Sequence, residues 1–333
     1  MDGSLHCTFS HRLVFVRISG ATVYAYTRQL RYKKRKGLLL QLEGENGEKS
    51  WGEIAPLKHF SGESYQQATD QLLEQLPLIL RGKCQLNSLL PSVHFGIESA
   101  LLDLRFPQPF RSISVQALLE GSYEEMLEKA RHIHDYPAVK IKIGHLEIEE
   151  SISLVKQLLP SIPRLIRIDA NRKWSYDQGM AFARSFPRDT FEYFEEPFAS
   201  FEDYLFFPYP IALDETVRTA GLDPFFKLLQ LKALVIKPTL IGGRKQLIPL
   251  LKRAREQKIT CVFSSSYESE LGIALIAKIA RRLQLPDRPM GLDTSRFFQD
   301  RIFQCGITYR KGTLHFPQKW TLCIQSIIAH ESI

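Results

Sequence analysis

In the stretch AVKIKIG, residues 138 to 144, two lysines alternate with valine and isoleucine just ahead of a glycine. An extended strand sends successive side chains to opposite faces, so Lys140 and Lys142 share one face while Val139, Ile141 and Ile143 share the other. The two ammonium groups then stand about 7 Å apart along the strand, at roughly 3.3 Å rise per residue. Alone, such a pair is what an edge strand carries to discourage aggregation. Acids occupy matching places further on: Asp169 in RLIRIDAN, Glu195 or Glu196 in FEYFEEP, and Asp214 or Glu215 in IALDET. A third lysine, Lys237, ends ALVIKPT, and Ser264 to Ser266 end TCVFSSS.

Three carboxylates with no histidine or cysteine beside them favour a hard cation held by oxygen. That makes Mg²⁺ the natural choice over zinc, with Mn²⁺ as a substitute. A lysine near a divalent cation and a second ammonium has its neutral form favoured, and can then act as a base near neutral pH. Such a group suits removal of a proton next to a carboxylate, where the cation stabilises the negative charge that develops. Any one strand-end acid is often only a helix cap, and Lys237 before Pro238 could be a solvated strand end. Their recurrence at one rhythm is what separate explanations of that kind do not reach.

The rhythm comes from the elements. With Leu119, Lys142, Asp169, Glu195, Asp214, Lys237, Ser264 and Gly291 as markers, short β-rich runs recur every 19 to 27 residues, the spacing of successive βα units. Helical patterns fill the gaps. EIEESISLVKQLL carries an apolar stripe at Ile148, Ile152, Val155 and Leu159. SYDQGMAFARSF starts on a Ser175 cap and ends before Pro187. Eight markers separated by helices predict an α/β fold, a (β/α)8-type barrel with its site at the carboxyl ends of the strands and a faint last unit at MGLDT. Arg167, two residues before Asp169, should face the same interior.

Residues 1–110 read differently. Alternating runs such as RLVFVRISG and GLLLQLEGENGEKSWGEI suggest an antiparallel meander, followed by helical patterns at SYQQATDQLLEQL and SVHFGIESALLDL. The expected organisation is an N-terminal α+β domain over 1–110, a barrel over 111–300, and a tail over 301–333 that completes the first domain. The hairpin in GITYRKGTLHF is expected to make that return.

A chain of 333 residues, 44% hydrophobic and 24% charged, is ordinary for a globular protein. No apolar run reaches the length of a membrane helix and MDGSLHCTFS is not a signal peptide, so a cytoplasmic protein without a membrane partner is expected. The five cysteines are scattered, with no C-x-x-C pair, and are expected to be reduced and mostly buried. The net charge of +8 raises a nucleic-acid partner, but the basic runs RYKKRKG and LKRAREQK lack interleaved aromatics, so none is expected. The second reads as the solvated face of a helix; the first fits a basic cap over a small anionic substrate. No oligomeric state is assigned.

The stretches LRYKKRKGLLLQL, WGEIAPL, FSGES, PSVHFGIESALLDL, VKIKIG, IRIDANRKW, FEEP, LDET, VIKPTLIGG, SSSYESELGIALIAKIA and GLDT together resemble the enolase superfamily, in its muconate-lactonizing-type subgroup. Within it they are similar to the dehydratases that form o-succinylbenzoate in menaquinone biosynthesis. The resemblance spans about residues 30 to 294. It implies a modified (β/α)7β TIM-like barrel under an N-terminal α+β capping domain, with Mg²⁺ held by Asp169, Glu195 and Asp214. It also implies that Lys142 removes the proton and then, as an acid, helps the hydroxyl leave on the same face. Lys237 would stabilise the charged intermediate from the opposite side, and Lys140 would contact the carboxylate and lower the pKa of Lys142. Asn171, Glu196 and Glu215 would support the metal ligands, with a swap between neighbouring acids left open.

The implied reaction is dehydration of 2-succinyl-6-hydroxy-2,4-cyclohexadiene-1-carboxylate to 2-succinylbenzoate. Ser264, Ser266, Tyr267 and Gly291 would cradle the succinyl tail, and the segments 31–37 and 60–63 would close over the site. The nearest rival is an N-succinylamino acid racemase or another acyl-amino-acid epimerase, since a lysine on each face also permits two-sided proton transfer. A basic RNA-associated or non-catalytic barrel is the rival from another class; the intact set of acids and lysines speaks against it.

Overall fold

The computed structural model describes residues 17–30, 33–107, 111–219, 221–323 and 327–332. Strands β1 (Ile18–Leu30), β2 (Lys33–Gly44) and β3 (Lys49–Ile54) form an antiparallel meander, with β2 and β3 on the expected run GLLLQLEGENGEKSWGEI, while residues 12–16 of the expected run RLVFVRISG lie outside the described residues. Helices α1 (Tyr65–Leu80) and α2 (Pro91–Arg105) follow it. Ser64 caps α1 by accepting the Gln67 N–H while the Gln67 side chain returns the bond, which closes the helix start from both sides. Leu38, Leu40 and Leu42 of β2 point the same way, as period-2 alternation requires, and bury against Leu72, Leu76, Val93 and Ile97 of the two helices.

After the short β4 (Ser112–Ser114) come β5 (Ala117–Leu119), α3 (Tyr123–Ala130), β6 (Ala138–Lys142), α4 (Ile148–Leu158), β7 (Leu165–Asp169) and α5 (Tyr176–Arg184). Next are β8 (Tyr193–Glu195), α6 (Phe201–Phe206), β9 (Ile211–Leu213), α7 (Leu222–Phe225) and β10 (Leu231–Ile236). The series ends with α8 (Pro238–Ile241), α9 (Arg244–Glu256), β11 (Thr260–Phe263) and α10 (Glu270–Arg282). Strands β5 to β11 make one parallel sheet in sequence order, and the expected barrel strands fall on them. The eighth unit is reduced to a bridge. Met290 pairs in parallel with Val115 on one side, Gly291 with Ser264 on the other, and together they join the two edges of the sheet.

The stripe on α4 rotates slightly from its expected centre. Ile148, Leu154, Val155 and Leu158 are buried, and Ile152 and Leu159 flank them half-buried. Ser175 caps α5 as expected, in a reciprocal pair with Gln178. Lys252 and Arg255 of α9 are exposed, as a solvated helix face requires.

The tail departs from expectation. The hairpin β12 (Thr308–Arg310) and β13 (Thr313–His315) forms, turning through Lys311 and Gly312 at positive φ. It pairs with β4 at the entrance to the barrel, not with the first domain. The free edge of β4 offers unpaired backbone groups immediately beside it, and Leu314 is buried by that pairing. The return to the first domain is made by β14 (Ile327–Ser332), which lies antiparallel to β1. Of the described cysteines only Cys261 is buried; Cys84 and Cys323 are half-buried and Cys305 is exposed, while Cys7 lies outside the described residues. Among the described residues no helix is long and apolar enough to cross a membrane.

Candidate active site

Parallel register sets the level of the site. Lys142 lies opposite Asp169, and Asp169 opposite Glu195, so three strand ends deliver their side chains at one height. Gly144 lets β7 come close: a Cβ there would meet the Ala170 carbonyl oxygen at 1.9 Å. Above these ends is a cavity of about 420 Å³. Its wall includes Lys140, Lys142, Asn171, Asp214, Glu215 and Lys237 on one side. Ser264, Ser266, Tyr267 and Gly291 complete the other.

Lys140 is buried, with Nζ 2.9 Å from Glu195 Oε1 and 3.0 Å from Asp169 Oδ2. Burial opposes its charge, but Asp169, Glu195 and Asp214 outweigh that and hold it well above lysine's usual range. Lys237 donates to Asp214 Oδ2. Asp169 also accepts the Asn171 backbone N–H at 3.0 Å, so Asn171 orients the acid through its main chain. Burial, with Asp169 and Asp214 adding to it, raises the pKa of Glu195 despite its contact with Lys140.

The adjacent acids have different places. Glu196 is fully buried at a φ of +40°. Its Oε1 accepts the backbone N–H groups of Asp214 at 2.9 Å and Thr216 at 2.7 Å. Its Oε2 accepts from Arg172 at 2.8 Å, the Thr216 hydroxyl at 3.1 Å and the Tyr204 hydroxyl at 3.2 Å. It is therefore committed to holding the loop that carries Asp214. Glu215 lines the cavity, and burial raises its pKa. Arg167 is inside the barrel as expected, but it is engaged by Glu192 at 2.6 Å and the Pro289 carbonyl at 2.9 Å, and does not line the cavity.

Lys142 is held as the ammonium by its neighbours. Burial and Lys140 both oppose its charge, yet Tyr267, Asp169 and Glu120 together hold it above lysine's usual range. Lys140 acts in the expected direction and loses to the oxygens around Lys142.

The donor set is all oxygen, which suits a hard divalent cation. Glu195 Oε2 and Glu215 Oε2 are buried and accept no hydrogen bond. As they stand, no three acids, histidines or cysteines among the described residues form a coordination sphere. Lysine ammonium groups sit between the acids and neutralise them, and a cation would share that place. By donor type and open lone pairs the residues fit the group.

Among the described residues of the basic run 31–37, none lines the cavity. Arg31 lies outside the described residues. Arg35 is buried and donates to the Ala55 and Pro56 carbonyls and, at 3.3 Å, to that of Ser266. From the segment 60–63, Phe60 lines the cavity, whereas Glu63 is buried and accepts the Ser92 N–H at 2.9 Å. Sequence reasoning missed Gln116, Lys173 and Asp293, which line the cavity, and Glu120, whose side chain touches Lys142. Glu120 was findable: an acid directly after the β-run ending at Leu119 repeats the pattern of the other strand ends.

A closed ring of parallel strands with lysines and acids at its carboxyl mouth defines an enolase-type barrel. In agreement, the family described as enolase C-terminal domain-like matches residues 122–322, and the MenC N-terminal domain matches residues 21–104. Muconate lactonizing enzyme superposes with a TM-score of 0.72 over 92% of this chain and 97% of its own, at 19% identity. An o-succinylbenzoate synthase of Pasteurella multocida is 36% identical over 79% of this chain and 82% of its own length. That of Escherichia coli K12 is 35% identical over 82% and 87%. The chain belongs to the o-succinylbenzoate synthase family of the enolase superfamily.

Proposed function

We propose that this protein dehydrates 2-succinyl-6-hydroxy-2,4-cyclohexadiene-1-carboxylate to 2-succinylbenzoate, in the cytoplasm and within menaquinone biosynthesis. The observation that carries this is one cavity lined by Lys142, Lys237, Asp214 and Glu215, with Asp169 and Glu195 buried against Lys140, which also lines it. Lys142, as the neutral amine, takes the ring proton next to the carboxylate. Its ammonium then returns that proton to the departing hydroxyl, which leaves as water while the ring becomes aromatic. One group serves both steps when proton and hydroxyl leave from the same face. Lys237 faces the charge that gathers on the ring and carboxylate.

Asp169, Glu195 and Asp214 would hold Mg²⁺, with Glu215 placed beside them. When bound, the cation supplies electrostatic stabilisation for the developing carboxylate charge and offsets the negative groups that keep Lys142 protonated. Lys140 spans Asp169 and Glu195 and keeps them apart from solvent. Ser264, Ser266, Tyr267 and Gly291 receive the succinyl tail. Side-chain bulk at Gly291 would close that space, since a Cβ would lie 2.6 Å from Ser264 Oγ.

The test is an ultraviolet assay of aromatisation with and without Mg²⁺, beside polarimetry on N-succinyl amino acids. Metal-dependent dehydration supports the reading. Racemisation without dehydration would move the function to the rival that uses both lysines for proton transfer.

A further inference from the structure

Four lysines line the cavity, Lys140, Lys142, Lys173 and Lys237, and two of them are held by the acids proposed as metal ligands: Lys140 by Asp169 and Glu195, Lys237 by Asp214. Lys142 is held differently. Among the described residues, the carboxylate in ion-pair contact with it is Glu120, with Oε2 3.5 Å from Lys142 Nζ. Glu120 follows β5, whose Leu119 lies opposite Ile141, so the ladder brings it beside Lys142. Both oxygens of Glu120 accept from the Tyr267 hydroxyl at 3.3 Å. Tyr267 itself has φ of +60°, a conformation disfavoured for a bulky side chain. Arg35 of the capping domain holds it there, donating from Nε to the Tyr267 carbonyl at 3.2 Å.

We propose that Glu120 is a positioning residue that aims Lys142 at the substrate, and that Tyr267, braced by Arg35, holds Glu120 in turn. This rests on the assignment of Lys142 as the base. Glu120 does not line the cavity, whereas Lys142 and Tyr267 do, so it acts through Lys142. A lysine stem has four rotatable bonds, and Lys140 repels the Lys142 ammonium from the same strand face. An oppositely charged anchor on the next strand selects the orientation that reaches the reacting carbon. Because the anchor is braced from the capping domain, docking of that domain and aim of the base are linked.

The experiment compares Glu120→Gln, Glu120→Asp, Tyr267→Phe and the Glu120→Gln/Tyr267→Phe double variant, with Lys142→Ala as control. Glu120→Gln is expected to lower kcat by about 10- to 100-fold, with KM and the melting temperature near wild type. Glu120→Asp should recover part of the loss, which a filling role would not. The double variant should lose no more kcat than Glu120→Gln alone, since both act on Lys142 through one chain of contacts, whereas any lost succinyl contact at Tyr267 falls on KM. Wild-type kcat in Glu120→Gln beside an inactive Lys142→Ala would overturn the positioning role and leave the base standing. Multiplying losses of kcat in the double variant, or a fall in kcat that tracks a lower melting temperature, would overturn it too. Near-normal turnover of Lys142→Ala would overturn the base and this proposal together.

Discussion

The two walls of the cavity are built on opposite plans. Along β6 to β10 the groups are charged, and each is held by another: Lys140 by two acids, Lys237 by Asp214, and the Asp214 loop by Glu196. Along β11 and the Met290 to Gly291 bridge the groups are neutral, and except for Tyr267 small. Ser264 and Ser265 donate to the Gly291 carbonyl at 3.2 and 3.3 Å, and Ser266 Oγ is buried without a partner. The first wall fixes charges against stiff strands, where displacement would leave an unpaired ion in a low-dielectric interior. The second leaves room and open hydrogen-bonding capacity. On the proposed function, chemistry belongs to the first wall and substrate selection to the second.

The largest effect should come from the charged wall. Lys142→Ala should lower dehydration by about 10²- to 10⁴-fold, the range for losing a positioned proton-transfer group. Its melting temperature should stay near wild type, because the truncation is at a partly open strand end; retained activity in the ultraviolet assay would break the comparison. Glu196→Gln should instead strike stability. Its amide would face Arg172, Thr216 and Tyr204 donors with a donor of its own, at a cost of about 2–4 kcal/mol in urea unfolding. A wild-type midpoint would mean that the Asp214 loop does not depend on that carboxylate.

On the neutral wall, Gly291→Ala should raise KM by about 10-fold with a smaller change in kcat, as expected of lost space without lost proton transfer. Equal loss in kcat alone would move Gly291 to the chemical side. The smallest effect concerns Asp293, which lines the cavity between the walls. Burial outweighs Arg296, 2.6 Å away, and pushes its carboxyl up to about 7. Its folded pKa is above the unfolded value, so the folded state binds the proton more tightly. The associated stability is present below about pH 4 and is lost as pH rises toward 7. Asp293→Asn should flatten the melting temperature across that window; an unchanged pH profile would show that Arg296 keeps the carboxylate ionised.

Much of this was legible in the chain because strand periodicity is local. Lys140 and Lys142 had to share a face, and the strand rhythm had to put Asp169, Glu195 and Asp214 at neighbouring ends. Glu195 and Glu196 were not separable, since the choice depends on a left-handed residue and on backbone donors contributed by a later strand. The hairpin at 308–315 was visible from its turn, but its partner was not, because a free edge is a property of the assembled sheet. Arg35 sat in a basic run that read as a cap over an anionic substrate until packing placed carbonyls around its guanidinium.

By itself, then, the sequence determined the period of the units, the face each charged side chain shares with its neighbours on the same strand, and the oxygen chemistry of the acid set. Only the tertiary structure decided which charges meet: Lys142 with Glu120, Lys237 with Asp214, and Glu196 with the Asp214 loop. Alternation acts over two residues and is written into the chain, whereas ion pairing acts across strands and depends on register, burial and the backbone turns between them.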